Sequence, residues 1–362
     1  MKPNFFSLTI GLVLAIIVAL LSQFLSHYLG VQVLQFEKSP ISPIFLALII
    51  GGLVANTTKL AVIGDFGISF CVKYLLKIGI IMMGIRLSFN EMMTFGFKGL
   101  LVVVPCIIFT LLIVDKSRRY FNLSSNLATL VAVGTSICGA TAIVATAPAI
   151  NAKKEEIAYA IANITIFGIF AMVFYPFFAH FFFSGESVFI GLFLGSSIHE
   201  TAQVAGAGMI YADQYFTPEV LDISTVTKLV RNTAMIIVIP YISLKNTQLK
   251  ANGVSTLRKI YNIFPFFILG FIFFGILRTV GDFGLDQNEK ALGFLHPESW
   301  DQLIAKVNAS SKFLLIVAMS AVGVSIDLKK LRLIGIHVFY YGLSIALFVG
   351  VISLICISLI FG

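Results

Sequence analysis

Two cations lie three residues apart inside a run that otherwise avoids charge. Lys228 and Arg231 share one face of the apolar stretch 222–243, with Thr225, Thr227 and Asn232 beside them. A charge at membrane depth is costly and marks function by default. Arg supplies a planar fork and Lys a point charge, a pairing that suits a dianion or an oxyanion. The structural alternative is a salt bridge to Glu200, or snorkelling to the outer surface. His199 and Glu200 are adjacent, with Gln203 four residues beyond His199. A carboxylate beside an imidazole in a restricted aqueous cavity suits proton coupling, because His titrates near neutral pH. Glu200 could instead bind Na⁺ with nearby hydroxyls, or cap a hairpin.

His199 and Glu200 sit in one of two segments that resemble each other. The first reads Gly134-Thr135-Ser136-Ile137-Cys138-Gly139-Ala140-Thr141 and the second Gly195-Ser196-Ser197-Ile198-His199-Glu200-Thr201-Ala202, giving the pattern G-[ST]-S-I-x-x-[AT]-[AT]. Small and polar residues interrupt both segments, about 122–151 and 188–211, midway. Backbone that leaves a helix in hydrocarbon survives only around protein or water. Gly permits the unusual dihedrals and Ser satisfies loose backbone groups. Freed N–H groups and helix N-termini attract anions. Two such breaks entering from opposite sides are the signature of inverted-repeat transporters. The alternative is tight packing of small residues. On the transporter reading the substrate contacts are Ser136, Cys138, Gly139, Thr141, Ser197, His199, Gln203, Lys228 and Arg231. Glu200 or His199 exchanges the coupling ion. Cys138 reads more readily as a small packing residue than as a redox centre. Lys77, near mid-depth of the run 66–87, and Asn163 in the run 156–183 are further pathway residues. Arg86 falls at the outer end of its run, and Lys73 reaches the cytoplasmic surface.

The elements that must hold these residues follow from composition. The chain has 362 residues, 58% hydrophobic and only 12% charged, whereas a soluble chain is about 45–50% apolar and about 25% charged. Apolar runs of about 20 residues, each enough to cross the hydrocarbon, recur at 5–26, 41–56, 66–87, 94–114, 156–183, 222–243, 260–281, 309–327 and 335–361. The pattern predicts an all-α polytopic membrane protein with about nine transmembrane helices plus two oppositely oriented interrupted segments, in one transporter domain over residues 1–362. Residues 5–25 read as a retained first span, not a signal peptide.

Net charge is +8. The basic residues fall in short loops: Lys59; Lys116, Arg118, Arg119; Lys153, Lys154; Lys245, Lys250, Arg258, Lys259; Lys329, Lys330, Arg332. This is the positive-inside pattern, not a nucleic-acid surface, and it places the N-terminus in the cytoplasm and the C-terminus outside. The simplest topology has each interrupted segment enter and leave on the same side, as a hairpin; the competing one has both cross as broken helices. Four cysteines without CxxC spacing argue against a disulfide framework or a zinc site. No GxxxxGK[ST] is present, so energy comes from gradients; no HExxH or GxSxG argues against an intramembrane enzyme. No cofactor or metal is expected. The partners are a small anion, H⁺ or Na⁺, and the bilayer, with a homodimer as an option.

GTSICGATAIVATAPAI at 134–150, GSSIHETAQVAGAG at 195–208, VTKLVRN at 226–232 and LLKIGIIMMGIRLS at 75–88 together resemble the sulfate-exporter family of YeiH-like bacterial membrane proteins. The resemblance covers nearly the whole chain. It implies a multispan bacterial inner-membrane transporter, distantly similar in architecture to bile-acid, arsenite and riboflavin carriers and to sodium/proton antiporters. It implies export of sulfate or an organosulfonate. Nothing in the residues themselves separates those from a carboxylate or another small anion. The rival functions are an anion channel, which would need a continuous pore, and a Na⁺/H⁺ antiporter-like cation exchanger.

Overall fold

A computed structural model describes residues 5–35, 39, 41–245, 265–326 and 335–362. Helices dominate; among the described residues the only β pairing is one bridge, Ala291 to Leu295. In chain order the helical segments are α1 (Phe5–Val33), α2 (Pro43–Thr57), α3 (Asp65–Arg86), α4 (Phe89–Val114), α5 (Ser125–Cys138), α6 (Ala140–Ile150), α7 (Lys154–Phe182), α8 (Ser187–Ser197), α9 (Thr201–Tyr215), α10 (Glu219–Ile242), α11 (Phe267–Gln287), α12 (Pro297–Val324) and α13 (Ile336–Phe361).

Eight of these are long and apolar enough to cross a membrane: α1, α3, α4, α7, α10, α11, α12 and α13. They coincide with eight of the nine expected runs. The ninth, 41–56, is helix α2, whose 15 residues reach about 22 Å, short of the roughly 30 Å of hydrocarbon. Its start follows the sequence signal, with Ser42 extended and Pro43 at the first helical position. The acidic and basic loop residues Glu37, Lys250, Arg258, Lys259, Lys329, Lys330 and Arg332 lie outside the described residues.

The helices belong to two compact units that interleave in sequence. One comprises Met1–Thr94, Met209–Pro218 and Phe266–Leu328; the other comprises Phe95–Gly208, Glu219–Pro265 and Lys329–Gly362. In the first unit α2 and α12 approach closely through small residues. A Cβ added to Gly51 would lie 2.7 Å from Ser320 O, and one added to Gly323 would lie 2.6 Å from Leu48 O. Buried Asp213 accepts from Ser42 Oγ at 3.0 Å and pairs with Lys312 Nζ at 2.9 Å, tying α9, α2 and α12.

The second unit contains the first interrupted segment and residues 188–208 of the second, and both fold back. Helix α5 begins with Ser124 Oγ accepting from Leu127 N–H at 3.2 Å. It ends at Gly139, whose φ of 70° and ψ of −135° belong to a region open to glycine. Its body then packs against the Ala147–Ile150 turn, and Gly134 faces Ile143. A straight continuation would separate residues 133 and 147 by about 20 Å, so α5 and α6 form a hairpin. In the second segment the chain leaves α8 through extended Ile198 and restarts at Thr201. Gly191 on α8 and Gly208 on α9 both meet Ser224, which again requires a return.

Helix α10 is the most buried of the eight spans, with 67% of its most apolar window inside the protein. Small residues let neighbours close on it: Gly191 and Gly195 of α8, Gly208 of α9, and Gly99 of α4, which meets Thr227. A helix with Lys, Arg, Thr and Asn on its faces has no business in lipid. These glycine contacts are what enclose it.

Candidate functional site

Each break leaves backbone carbonyls without helical partners. In the first, those of Thr135, Ser136 and Ile137 are exposed by the turn into Gly139. In the second, those of Ser196, Ile198 and His199 are exposed by the extended step between α8 and α9. Both sets converge on α10. Lys228 Nζ donates to Ile137 O at 3.0 Å, to Ile198 O at 3.0 Å and to His199 O. Arg231 Nε donates to Ser136 O at 2.6 Å, Nη1 to Ser196 O at 2.8 Å and to Ile198 O at 2.7 Å, and Nη2 to Thr135 O.

Both cations are 0% exposed. They lie at the C-terminal ends of α5 and α8, where the helix dipoles are negative and cations are favoured. The charge is thus held by two sets of freed carbonyls, one from each hairpin. The three ammonium protons of Lys228 are all engaged, as are four of the five guanidinium protons of Arg231.

Glu200 lies where the two hairpins meet. Its Oε1 accepts from Ala140 N–H, the start of α6, at 3.2 Å. Its stem fills the hollow over Gly139, where an added Cβ would lie 2.2 Å from Glu200 Cγ. Its own N–H donates to Gln203 Oε1 at 3.0 Å, and Gln203 Nε2 in turn reaches Thr165 O at 3.5 Å. Glu200 is half-buried, not sealed like the two cations. The salt bridge weighed in sequence is not formed: among the described residues neither Lys228 nor Arg231 bridges this carboxylate, and both donate to carbonyls instead.

Of the residues singled out in sequence, the structure brings together Ser136, Cys138, Gly139, Ser197, His199, Glu200, Gln203, Lys228 and Arg231 at this crossing. Ser136 takes part through its carbonyl, and its buried hydroxyl has no hydrogen-bond partner. Ser197 Oγ returns to Phe193 O at 2.5 Å, a local helix bond. His199 is 1% exposed and its Nδ1 lacks a partner. Cys138 Sγ lies 3.1 Å from Met235 Sδ. Thr141 directly follows Ala140, the N–H donor to Glu200, and is exposed.

Two residues fall elsewhere. Asn163 Nδ2 donates to Val338 O at 2.8 Å, and its side chain packs on Gly342, so it ties α7 to α13. Lys77 lies in the other unit; it is exposed, with Nζ 5.8 Å from the centre of the Phe267 ring. Sequence reasoning missed the carbonyls of Thr135, Ile137, Ser196 and Ile198, because backbone roles carry no residue-type signal. It set Asn232 beside the cations only as added polar character; its Nδ2 donates to Thr201 Oγ1 at 3.1 Å while its buried Oδ1 has no partner.

Comparison with known proteins gives kinship without chemistry. The family model described as conserved hypothetical protein 698 matches residues 10–342. A UPF0324 membrane protein of Streptococcus agalactiae is 32% identical over 89% of this chain and 88% of its own length. Another, from Bartonella henselae, is 31% identical over 91% of this chain and 88% of its own length. A third, from Streptococcus mutans, is 31% identical over 95% of each. No solved structure matches the chain.

Proposed function

The chain belongs to the conserved hypothetical protein 698 family of membrane proteins, and from that premise we propose that it is a secondary transporter of a small anion, driven by an H⁺ or Na⁺ gradient. The observation that carries this reading is the burial of Lys228 and Arg231 between the carbonyl ends of two fold-back breaks. Breaking two helices inside a bilayer gives up backbone hydrogen bonds that must be replaced. A protein that needed only a stable bundle would keep the helices whole. What the breaks provide is a polar crossing that can hold a charged solute.

The sign of that solute follows from the fixed charges. Lys228 and Arg231 contribute two positive charges and Glu200 one negative, a formal excess of one positive charge. The two helix C-termini and two N-termini at the crossing carry roughly half a charge each, of opposite sign, and cancel. The excess favours an anion, which a monoanion balances and a dianion exceeds by one charge. Sulfate or an organosulfonate, the cargo and export direction implied by the family resemblance, fits this class, and residence in a bacterial inner membrane with a cytoplasmic N-terminus follows the same resemblance and the basic loops. Seven of the cations' eight donors are already on carbonyls, so they act as a fixed positive field, and the anion's own hydrogen bonds come from accessible groups such as Thr141.

Counterflow in proteoliposomes tests the proposal. Labelled sulfate should enter faster when unlabelled sulfate is preloaded, and the rate should saturate. Sulfate flux that neither saturates nor responds to preloading would make the protein a channel. Na⁺-for-H⁺ exchange without anion movement would make it a cation exchanger.

A further inference from the structure

We infer that Glu200 is a built-in counter-anion of the Lys228–Arg231 pair, and that a dianion bound at the crossing is matched by a proton taken up on Glu200. The inference rests on the anion-transport reading above and adds the coupling ion and its direction.

The position of the carboxylate is fixed. Gly139 leaves a hollow that Glu200 Cγ fills, Ala140 N–H holds Oε1, and the Glu200 backbone N–H is held by Gln203. The neighbouring residues His199 and Ile198 give their carbonyls to Lys228, so the carboxylate stands one residue from the cations' contacts. The charged and titratable groups around it are few. From α10 come Lys228 and Arg231, from the first break Cys138, and from its own segment His199; α7 contributes the uncharged Thr165 carbonyl through Gln203.

With both cations and Glu200 ionised and the thiol and imidazole neutral, the crossing holds one excess positive charge. A monoanion brings the sum to zero. A dianion leaves one unbalanced negative charge in a region shielded from water, which is strongly unfavourable. One proton from solvent, converting the Glu200 carboxylate to the carboxylic acid, restores neutrality. Glu200 is the group placed to take it, being half-buried where the two cations are sealed. Dianion and proton then bind cooperatively, each raising the affinity for the other by the same factor. They move in the same direction, so an inward proton gradient drives uptake of the dianion, the opposite of the export direction that the family resemblance implies.

Titration calorimetry on the full-length protein in detergent, run in two buffers of different ionisation enthalpy, reads the protons directly. Sulfate should bind with uptake of about one proton, and its affinity should rise about tenfold per unit fall in pH. Methanesulfonate, a monoanion, should bind with no proton uptake and little pH dependence. Glu200→Gln should bind sulfate without proton uptake, whereas His199→Gln, even where its affinity changes, should keep the uptake of about one proton per sulfate. Sulfate binding to wild type without proton uptake, or binding that requires Na⁺ instead, overturns the coupling and leaves the anion reading standing. Uptake that survives Glu200→Gln and vanishes in His199→Gln moves the proton to the imidazole and overturns the assignment. If Glu200→Gln fails to fold, Glu200→Asp should retain proton uptake, and its loss there counts against the carboxylate. No binding of either anion to folded wild-type protein overturns the anion reading and the inference together.

Discussion

The two breaks share a sequence pattern and differ at its centre. Gly134 matches Gly195, Ser136 matches Ser197, and Ile137 matches Ile198; then Cys138 stands against His199 and Gly139 against Glu200. The shared part does the same thing twice, presenting carbonyls to α10. The differing part interlocks. Where the first break has a glycine at φ 70°, the second has the carboxylate stem that fills the space above it. The shared pattern thus yields a two-sided clamp for the cations, and the differing residues yield one titratable group and the hollow that receives it.

The largest effect should come from the shared part. Arg231→Ala strands the carbonyls of Thr135, Ser136 and Ser196 at once and leaves that of Ile198 to Lys228 alone. An unmet buried polar group costs about 1–3 kcal/mol, and loss of one partner from a buried charged network about 3–5 kcal/mol. The variant should be destabilised by roughly that larger amount in thermal or denaturant unfolding in detergent. Arg231→Lys should restore only part, since an ammonium offers three donors from one point where the guanidinium makes four bonds from a rigid planar fork. A shift below about 1 kcal/mol would show that the carbonyls find other partners, and the clamp would not be what joins the hairpins.

The matched glycines give the next comparison. A Cβ at Gly195 would lie 2.5 Å from the Ser224 carbonyl oxygen and 2.6 Å from Thr227 Cβ, atoms that cannot yield without moving α10. A Cβ at Gly134 meets the end of the Ile143 side chain at 2.8 Å, which can turn aside. Gly195→Ala should therefore cost about 2–3 kcal/mol and Gly134→Ala about 1 kcal/mol or less. Equal effects would mean that α8 is not pressed against α10 as closely as the hairpin geometry requires. Gly139→Ala sharpens the asymmetry. It combines backbone strain of about 1–3 kcal/mol with the Glu200 contact. The double variant Gly139→Ala with Glu200→Ala should recover the contact portion and leave the strain. Additive losses would separate the two residues.

Much of this arrangement was legible in the chain. Eight of the runs are where hydropathy puts them, and the G-[ST]-S-I repeat marks both breaks. Run 41–56 stands apart from the other eight, because apolar composition reports burial as well as lipid contact: α2 is packed against α12 through Gly51 and is only 15 residues long. The cations at 228 and 231 were found because charge in an apolar run is conspicuous. Their partners were not, because a carbonyl freed by a helix break looks like any other residue in sequence. The meeting of Glu200 with Gly139, 61 positions earlier, is a tertiary contact. Neither residue's type announces the other.

The smallest expected effect probes whether the first break contributes side chains or only backbone. Cys138 corresponds to His199, and its sulfur meets the Met235 thioether at 3.1 Å within an apolar cluster around α5, α6 and α13. Sulfur contacts of this kind are weak and the cysteine behaves as a small apolar residue. Cys138→Ala should then cost about 1 kcal/mol or less and leave sulfate counterflow intact, while a change at Glu200 alters its pH dependence. If Cys138→Ala instead abolished counterflow in a folded protein, the thiol would be touching the solute. The first break would then be a binding element in its own right, and the division between a symmetric backbone clamp and a one-sided titratable group would fail.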